Sequence, residues 1–235
     1  MNYKMKTSAL AAAIALLASG PAAAGLIDFE DAPSRGLSDN DSVTTEYSLT
    51  DNVTFVGGYL EASGDADGDP QGFLNDQNGI YDDQFSASPG LGDWFLRTEG
   101  EIGSRGGQDI FLSILFDEAV TFASGQIWDI DGNDAQGTEQ WNVVALNGGN
   151  ILNQQLSPLG DSNGPGSLDG LPWAFTVGDI GAFDQINFRF AGSKMEGVGL
   201  GFDNFRSAVS VPEPGTLGLL GLGLIGVVAA RRRKA

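Results

Sequence analysis

Between residues 25 and 211 the chain is punctuated rather than continuous. Short runs rich in Val, Ile, Leu, Phe and Trp recur about every ten residues, separated by segments that contain Gly, Asp, Asn or Pro. The runs fall at 26–29, 52–56, 94–98, 109–116, 120–122, 126–130, 140–146, 150–156, 173–177, 185–190 and 198–206. No stretch keeps apolar side chains at helical spacing over three turns. Ile186, Phe188 and Phe190 alternate with Asn187 and Arg189, the pattern of a half-buried strand. Glycine is 35 of 235 residues, about twice average usage, which multiplies turns and weakens long helices. About eleven short strands predict an all-β domain of two packed sheets, a jelly-roll-like β-sandwich. Residues 57–89, rich in Gly, Asp, Asn and Gln, predict one long loop.

Composition removes whole classes of chemistry. The chain has no Cys and no His. Disulfides, thiolate nucleophiles, Cys/His zinc sites and imidazole acid–base catalysis are therefore excluded. No G-x-S-x-G elbow and no G-x-x-x-x-G-K phosphate loop occurs. Residues 25–211 hold six basic and thirty acidic side chains, a net charge of −24. Such a surface repels nucleic acid and anionic lipid, and it attracts cations. Plain solubility accounts for the same charge.

The two ends read as addresses. Lys4 and Lys6 precede a short apolar run from Thr7 to Leu17, and Gly20, Pro21 and Ala22-Ala23-Ala24 follow. A basic start, a brief apolar stretch and an A-x-A site predict a secretory signal over 1–24, carried by the Sec translocon and cut before Gly25. The C-terminus holds Val211-Pro212-Glu213-Pro214, then an uncharged Leu/Gly-rich run over 215–230, then Arg231-Arg232-Arg233-Lys234. The apolar run is slightly shorter than the ~20 residues of an ordinary membrane helix. The basic cluster keeps its far end cytoplasmic. The expected division is a signal over 1–24, a sandwich domain over 25–210 and a tail over 211–235.

Motif, apolar run and basic cluster, in that order at the end of the chain, resemble the PEP-CTERM sorting signal of exported Gram-negative proteins. The resemblance implies that an exosortase, a membrane transpeptidase, reads Val211, Pro212, Glu213 and Pro214 while Arg231, Arg232 and Arg233 hold the cytoplasmic side. It implies an inner-membrane-anchored precursor that ends at the cell surface or outside the cell. The texture from Ile27-Asp28-Phe29-Glu30 to Gly201-Phe202-Asp203-Asn204-Phe205 is also similar to carbohydrate-binding-module sandwiches. In such modules the first and last strands often hold a structural calcium, and that resemblance would make Glu30 and Asp203 its ligands.

Other candidate sites come from the residues themselves. Asp65, Asp67 and Asp69 lie two apart, with Asp76 twelfth counting from Asp65, a spacing that resembles a calcium loop. Pro70 stands where an EF-hand needs glycine, so an EF-hand is rejected; a looser calcium loop and a solvated acidic loop both remain. Asp129–Asp134 is a second acidic turn, equally readable as a hairpin. Of Trp94, Trp128, Trp141 and Trp173, core packing is expected for most. Trp173, beside Pro172, is the candidate for an exposed sugar platform. The expected function is that of a non-enzymatic surface or matrix protein that binds or organises extracellular polysaccharide. A hydrolase or lyase using only Asp and Glu is the alternative, and a purely structural spacer is a third.

Overall fold

The structure is a computed structural model and describes residues 25–62, 92–100, 110–128, 130, 132–133, 137–160, 172–194 and 198–209. The cluster Asp65, Asp67, Asp69 and Asp76, both chain ends and the sorting motif lie outside the described residues. Residues Ala24–Ala208 group as one compact unit.

Eleven strands occur among the described residues: β1 (Ser42–Val43), β2 (Val53–Val56), β3 (Gly58–Ala62), β4 (Trp94–Gly100), β5 (Ile110–Trp128), β6 (Gly132–Asn133), β7 (Gly137–Thr138), β8 (Trp141–Asn147), β9 (Asn150–Leu156), β10 (Trp173–Phe190) and β11 (Val198–Ala208). Among the described residues, helix is limited to a 3-10 turn at Ala32–Arg35 and one α turn at Ser48–Asp51. All strand pairings are antiparallel.

Two strands are longer than the punctuation suggests. The runs at 109–116, 120–122 and 126–130 become the single strand β5, and those at 173–177 and 185–190 become β10. The reason is a paired corner. Asp117, Glu118 and Ala119 are exposed midway along β5. Asp179 and Gly181 of β10 take φ 56° and 86°, and the β5–β10 register shifts twice in succession, between Gly178 and Phe183 and again between Phe183 and Gln185. A bulge at both strands bends the ladder without ending it. The start of the expected loop is also ordered: 58–62 is β3, because Leu60 is a buried strand residue at 0% exposure. Conversely, the expected first strand at 26–29 is reduced to a single bridge between Ile27 and Phe205.

The corner makes a sandwich out of one continuous sheet. Sheet one runs β2, the first half of β5, the second half of β10, β8 and β9. Sheet two runs β1, β3, β4, β11, the second half of β5 and the first half of β10. Phe175 and Phe188 sit on opposite halves of β10. A straight strand would hold them about 43 Å apart, yet their ring centroids are 5.4 Å apart. Phe202 of β11 packs on Phe188 at 5.3 Å and on Phe55 of β2 at 6.2 Å. Phe116 of sheet one meets Phe205 of sheet two at 6.2 Å. The two halves therefore close face to face over an aromatic core, the jelly-roll-like sandwich that the strand spacing predicts. Gly125 lies under this core: a Cβ there would come within 3.0 Å of the Phe175 ring, so glycine makes room for the aromatic stack.

Candidate functional site

With 186, 188 and 190 turned into the core, the residues between them must face outward. Register extends that outer face across sheet one. One row reads Val56, Ser113, Asn187, Val144 and Gln154 across β2, β5, β10, β8 and β9. Its neighbours read Thr54, Leu115, Gln185, Leu146 and Ile151 on one side and Arg189, Asn142 and Leu156 on the other. Asn187 Oδ1 accepts from Ser113 Oγ at 2.8 Å and from Gln185 Nε2 at 2.7 Å. Asn142 Nδ2 donates to Gln154 Oε1 at 3.0 Å. Five strands at ~4.8 Å spacing give a row on the order of 20 Å long. Across these paired residues, among Val and Leu/Ile side chains, stand planar amides, the Ser113 and Thr54 hydroxyls and the Arg189 guanidinium, and no carboxylate. Such groups donate and accept hydrogen bonds without charge repulsion, the chemistry that suits a neutral polyhydroxylated ligand.

The carboxylates gather elsewhere. The backbone of Ile27 exchanges two 2.8 Å hydrogen bonds with Phe205, which brings 28–30 beside 203–204. Both segments hold non-glycine residues in the left-handed region, Phe29 at φ 59° and Asn204 at φ 53°. A buried Phe in that region is a strained backbone position, and the Phe29 ring is held there by Tyr47 and Phe55 at 5.6 Å. At Asn204 the β11–β5 register shifts between Asp203 and Arg206. That bulge lets the Asn204 amide reach Asp203 Oδ2 and Gln126 Oε1, each at 2.9 Å.

Asp203 is 1% exposed, and its Oδ1 is buried with no hydrogen-bond partner. Burial pushes its carboxyl up to about 8, against the lowering effect of the Asn204 backbone N–H, while the charges of Asp28 and Glu30 add to the rise. The Ile27–Phe205 bridge thus brings Asp28 and Glu30 near enough to Asp203 for their charges to act on it. Asp28 was legible only through the Ile27–Phe205 bridge, which one sequence does not reveal. Glu30 is exposed and partly committed: its Oε1 accepts the Trp94 backbone N–H at 3.1 Å. Gly92 permits that approach, because a Cβ there would lie 1.7 Å from the same oxygen. Among the described residues no group of three or more Asp or Glu side chains is gathered closely enough to hold a metal ion.

Asp31, next in sequence, belongs to a different structure. It accepts from Arg35 Nε at 2.8 Å and from Tyr47 Oη at 3.1 Å, while the Arg35 guanidinium lies 4.0 Å over the Tyr47 ring. Burial and the neighbouring Asp31 charge hold the Tyr47 phenol far above its usual range. This is a clamp on the N-terminal segment. Trp128 and Trp141 are fully buried, as core packing predicts. Trp173 is half-buried on the core side of β10, opposite Ile127, with its ring 6.4 Å from Phe175. In the sequence the amide row shows only as polar positions within 140–146, 150–156 and 185–190, with no motif around them.

Residues 210–234 match the PEP-CTERM protein-sorting motif. A motif of this kind marks a chain for export and membrane-associated processing. Among the described residues no helix is long and apolar enough to cross a membrane, and 215–230 lies outside them. No curated protein matches the chain. Among solved structures it is similar to the CBM22-1 xylan-binding domain from Paenibacillus barcinonensis Xyn10C, at 11% identity over 83% of this chain and 99% of that chain, TM-score 0.34. It is similar to the CBM22-1-CBM22-2 tandem of the same protein, at 11% identity over 83% of this chain and 48% of that one, TM-score 0.36. The CBM22-1-GH10 modules of Clostridium thermocellum Xyn10B, complexed with xylohexaose, align at 9% identity over 74% of this chain and 28% of that one, TM-score 0.30. No residue role is transferred from likenesses at that level.

Proposed function

We propose that this is an exported surface or matrix protein, sorted through Val211-Pro212-Glu213-Pro214 by an exosortase, whose sandwich binds polysaccharide without cleaving it. The observation that carries the binding reading is the outer face of sheet one, where the exposed Gln154 and the half-buried Ser113, Gln185, Asn142 and Arg189 form a carboxylate-free band around the buried Asn187, on a domain of net charge −24. A neutral glycan meets hydrogen-bonding partners there and no opposing charge. A hydrolase or lyase reading needs a pair of carboxyls open to substrate. Asp203 has the raised proton affinity of a general acid, but at 1% exposure no glycosidic oxygen reaches it.

Asp203 suits a structural role instead. Its unpartnered buried oxygen, within reach of the charges of Asp28 and Glu30, is what supports one calcium ion between the N-terminal segment and β11; as they stand these three carboxylates are not gathered into a metal-holding group, so the ion would have to draw Asp28 and Glu30 in. Gly92 and the strained Phe29 lie in the same region.

The binding reading is tested by affinity electrophoresis of the purified protein through gels containing neutral or uronic-acid polysaccharides, ideally including the host's own exopolysaccharide. Retardation by a neutral glycan is expected. Gln154→Ala, an exposed and conservative truncation, should weaken it about 3- to 10-fold, the worth of one hydrogen bond. No retardation of the wild type in any gel leaves the domain as a structural spacer and refutes the binding reading, and equal retardation of both proteins removes Gln154 from the binding face.

A further inference from the structure

Strand β9 is a sheet edge with little of the usual protection. Among the described residues it pairs with β8 alone, so its second row of backbone N–H and C=O groups faces away from the sheet. Natural edges are guarded by charge, proline, bulges or a covering segment, because an open edge templates further pairing. β9 reads Asn-Ile-Leu-Asn-Gln-Gln-Leu and has no charged residue. Ile151, Leu152 and Leu156 are 49%, 40% and 55% exposed, and Leu159 beyond the strand is 49% exposed. One bulge, at Leu152, interrupts the ladder, and Asn153 through Leu156 then run in unbroken register.

The charge map singles out this edge. Residues 140–160 contain no charged side chain, the longest such stretch between 25 and 211. Two copies approaching through other surfaces of a domain with net charge −24 bring carboxylates against carboxylates. Through β9 they bring Ile, Leu, Asn and Gln against the same residues. A cationic partner would gain more from the acidic surfaces, and an acidic one is repelled by everything around the edge. A second copy is the occupant this strip fits, since an antiparallel strand pair about a two-fold axis matches one patch to itself.

We infer that β9 is a self-association edge, through which two copies pair antiparallel and extend sheet one across a dyad. A seven-residue edge is small against the ~1,200–2,000 Å² of a standard interface, so the association is weak and concentration-dependent. Should sheet one bind glycan as proposed, pairing joins two amide faces into one surface; the association itself does not depend on that reading.

Sedimentation velocity on the full chain in mild detergent, across a concentration series and at low and high salt, tests this without any glycan present. The sedimentation coefficient should rise with concentration, and salt should strengthen the effect by screening the acidic surfaces. Ile151→Lys/Leu156→Lys should weaken association by about tenfold or more, by placing like charges across the dyad. Leu49→Lys, at a 99% exposed site in the helical turn, should leave it unchanged. Near-ultraviolet circular dichroism confirms that each variant keeps its fold. Because the chain has no Cys, Gln154→Cys gives an independent measurement. Oxidation should yield disulfide dimers about tenfold faster or more than Leu49→Cys, through raised effective concentration. A monomer at all concentrations and salts, equal association of the edge-lysine variant, or equal cross-linking at the two cysteine positions overturns the inference. A wild-type monomer whose melting temperature falls in the edge-lysine variant overturns it too, because the edge is then covered by the chain itself.

Discussion

Replacing Asp203 by Asn separates the cost of a buried carboxylate from the role proposed for it. In the metal-free fold this carboxyl titrates at about 8, against an ordinary value of 3.8. Between those values the folded state holds a proton that the unfolded state has lost. Stability from this group is therefore fully present below pH 4 and declines as pH rises towards 8. Each pH unit costs about 1.4 kcal/mol, so wild type loses on the order of 5 kcal/mol across the window. Asp203→Asn keeps the shape of the neutral acid and has no proton to lose. Urea unfolding followed by Trp fluorescence, in chelator at pH 5, 6, 7 and 8, reads the difference, since Trp128 and Trp141 are fully buried. The variant should gain on wild type by about 1.4 kcal/mol per pH unit, with the gap levelling off above pH 8. A gap that does not change with pH refutes the reasoning, because Asp203 is then ionised and solvated in the fold. Millimolar calcium at pH 8 supplies the second arm. It should restore wild type by taking the place of the missing proton, and it should leave Asp203→Asn unmoved. A pH-dependent gap with no response to calcium keeps the buried carboxylate and removes the metal.

Two further perturbations probe the frame that holds these sites. Phe202 touches the rings of Phe29, Phe55, Phe175, Phe188 and Phe205, so Phe202→Ala should cost about 3–5 kcal/mol in urea unfolding; a loss under about 1 kcal/mol would mean that the two halves of the sandwich do not share one core. Arg97 and Glu61 form a buried ion pair, with Arg97 also bonded to Asn40 Oδ1 at 2.5 Å. Arg97→Met should cost about 3–5 kcal/mol, and adding Glu61→Leu should recover much of the loss; two independent, additive effects in the double-mutant cycle would refute the coupling.

The strand content was legible because it depends on local alternation and turn residues, which a single sequence displays. Ile186, Phe188 and Phe190 point inward as their spacing implies. What spacing does not display is how a corner is made. Asp117-Glu118-Ala119 and Asp179-Ile180-Gly181 look like ordinary turns, but as successive bulges on either side of the Val120–Phe183 pair they bend two strands together and let each serve both sheets. The same limit governed the sites. Asp203 stood out as an acid in an apolar strand, whereas Asp28 becomes its neighbour only through the Ile27–Phe205 bridge. The amide band was hidden for a different reason. Asn, Gln and Ser outside a motif carry little information until register places Ser113, Asn187 and Gln154 in one line across non-consecutive strands.

Charge ties the sorting motif to the architecture. On the proposed function, an exported chain held near a membrane by its tail must avoid both anionic lipid and indiscriminate contact with its own copies, and a net charge of −24 over 25–211 supplies both kinds of repulsion. The same repulsion would exclude a ligand from any face that carried it. The fold resolves this by segregation. Asp203, the most deeply buried carboxylate near the N-terminal segment, lies on β11 of sheet two beside Asp28 and Glu30, while the paired residues of the outer face of sheet one carry none. That face ends at β9, inside the uncharged stretch 140–160. Amide band and open edge therefore share one cause, the absence of acids from β8, β9 and the paired outward positions of β5 and β10. A carboxylate introduced at Gln154, on β9 and in line with Asn187, should weaken both glycan retention and self-association, whereas one introduced at Leu49 should weaken neither.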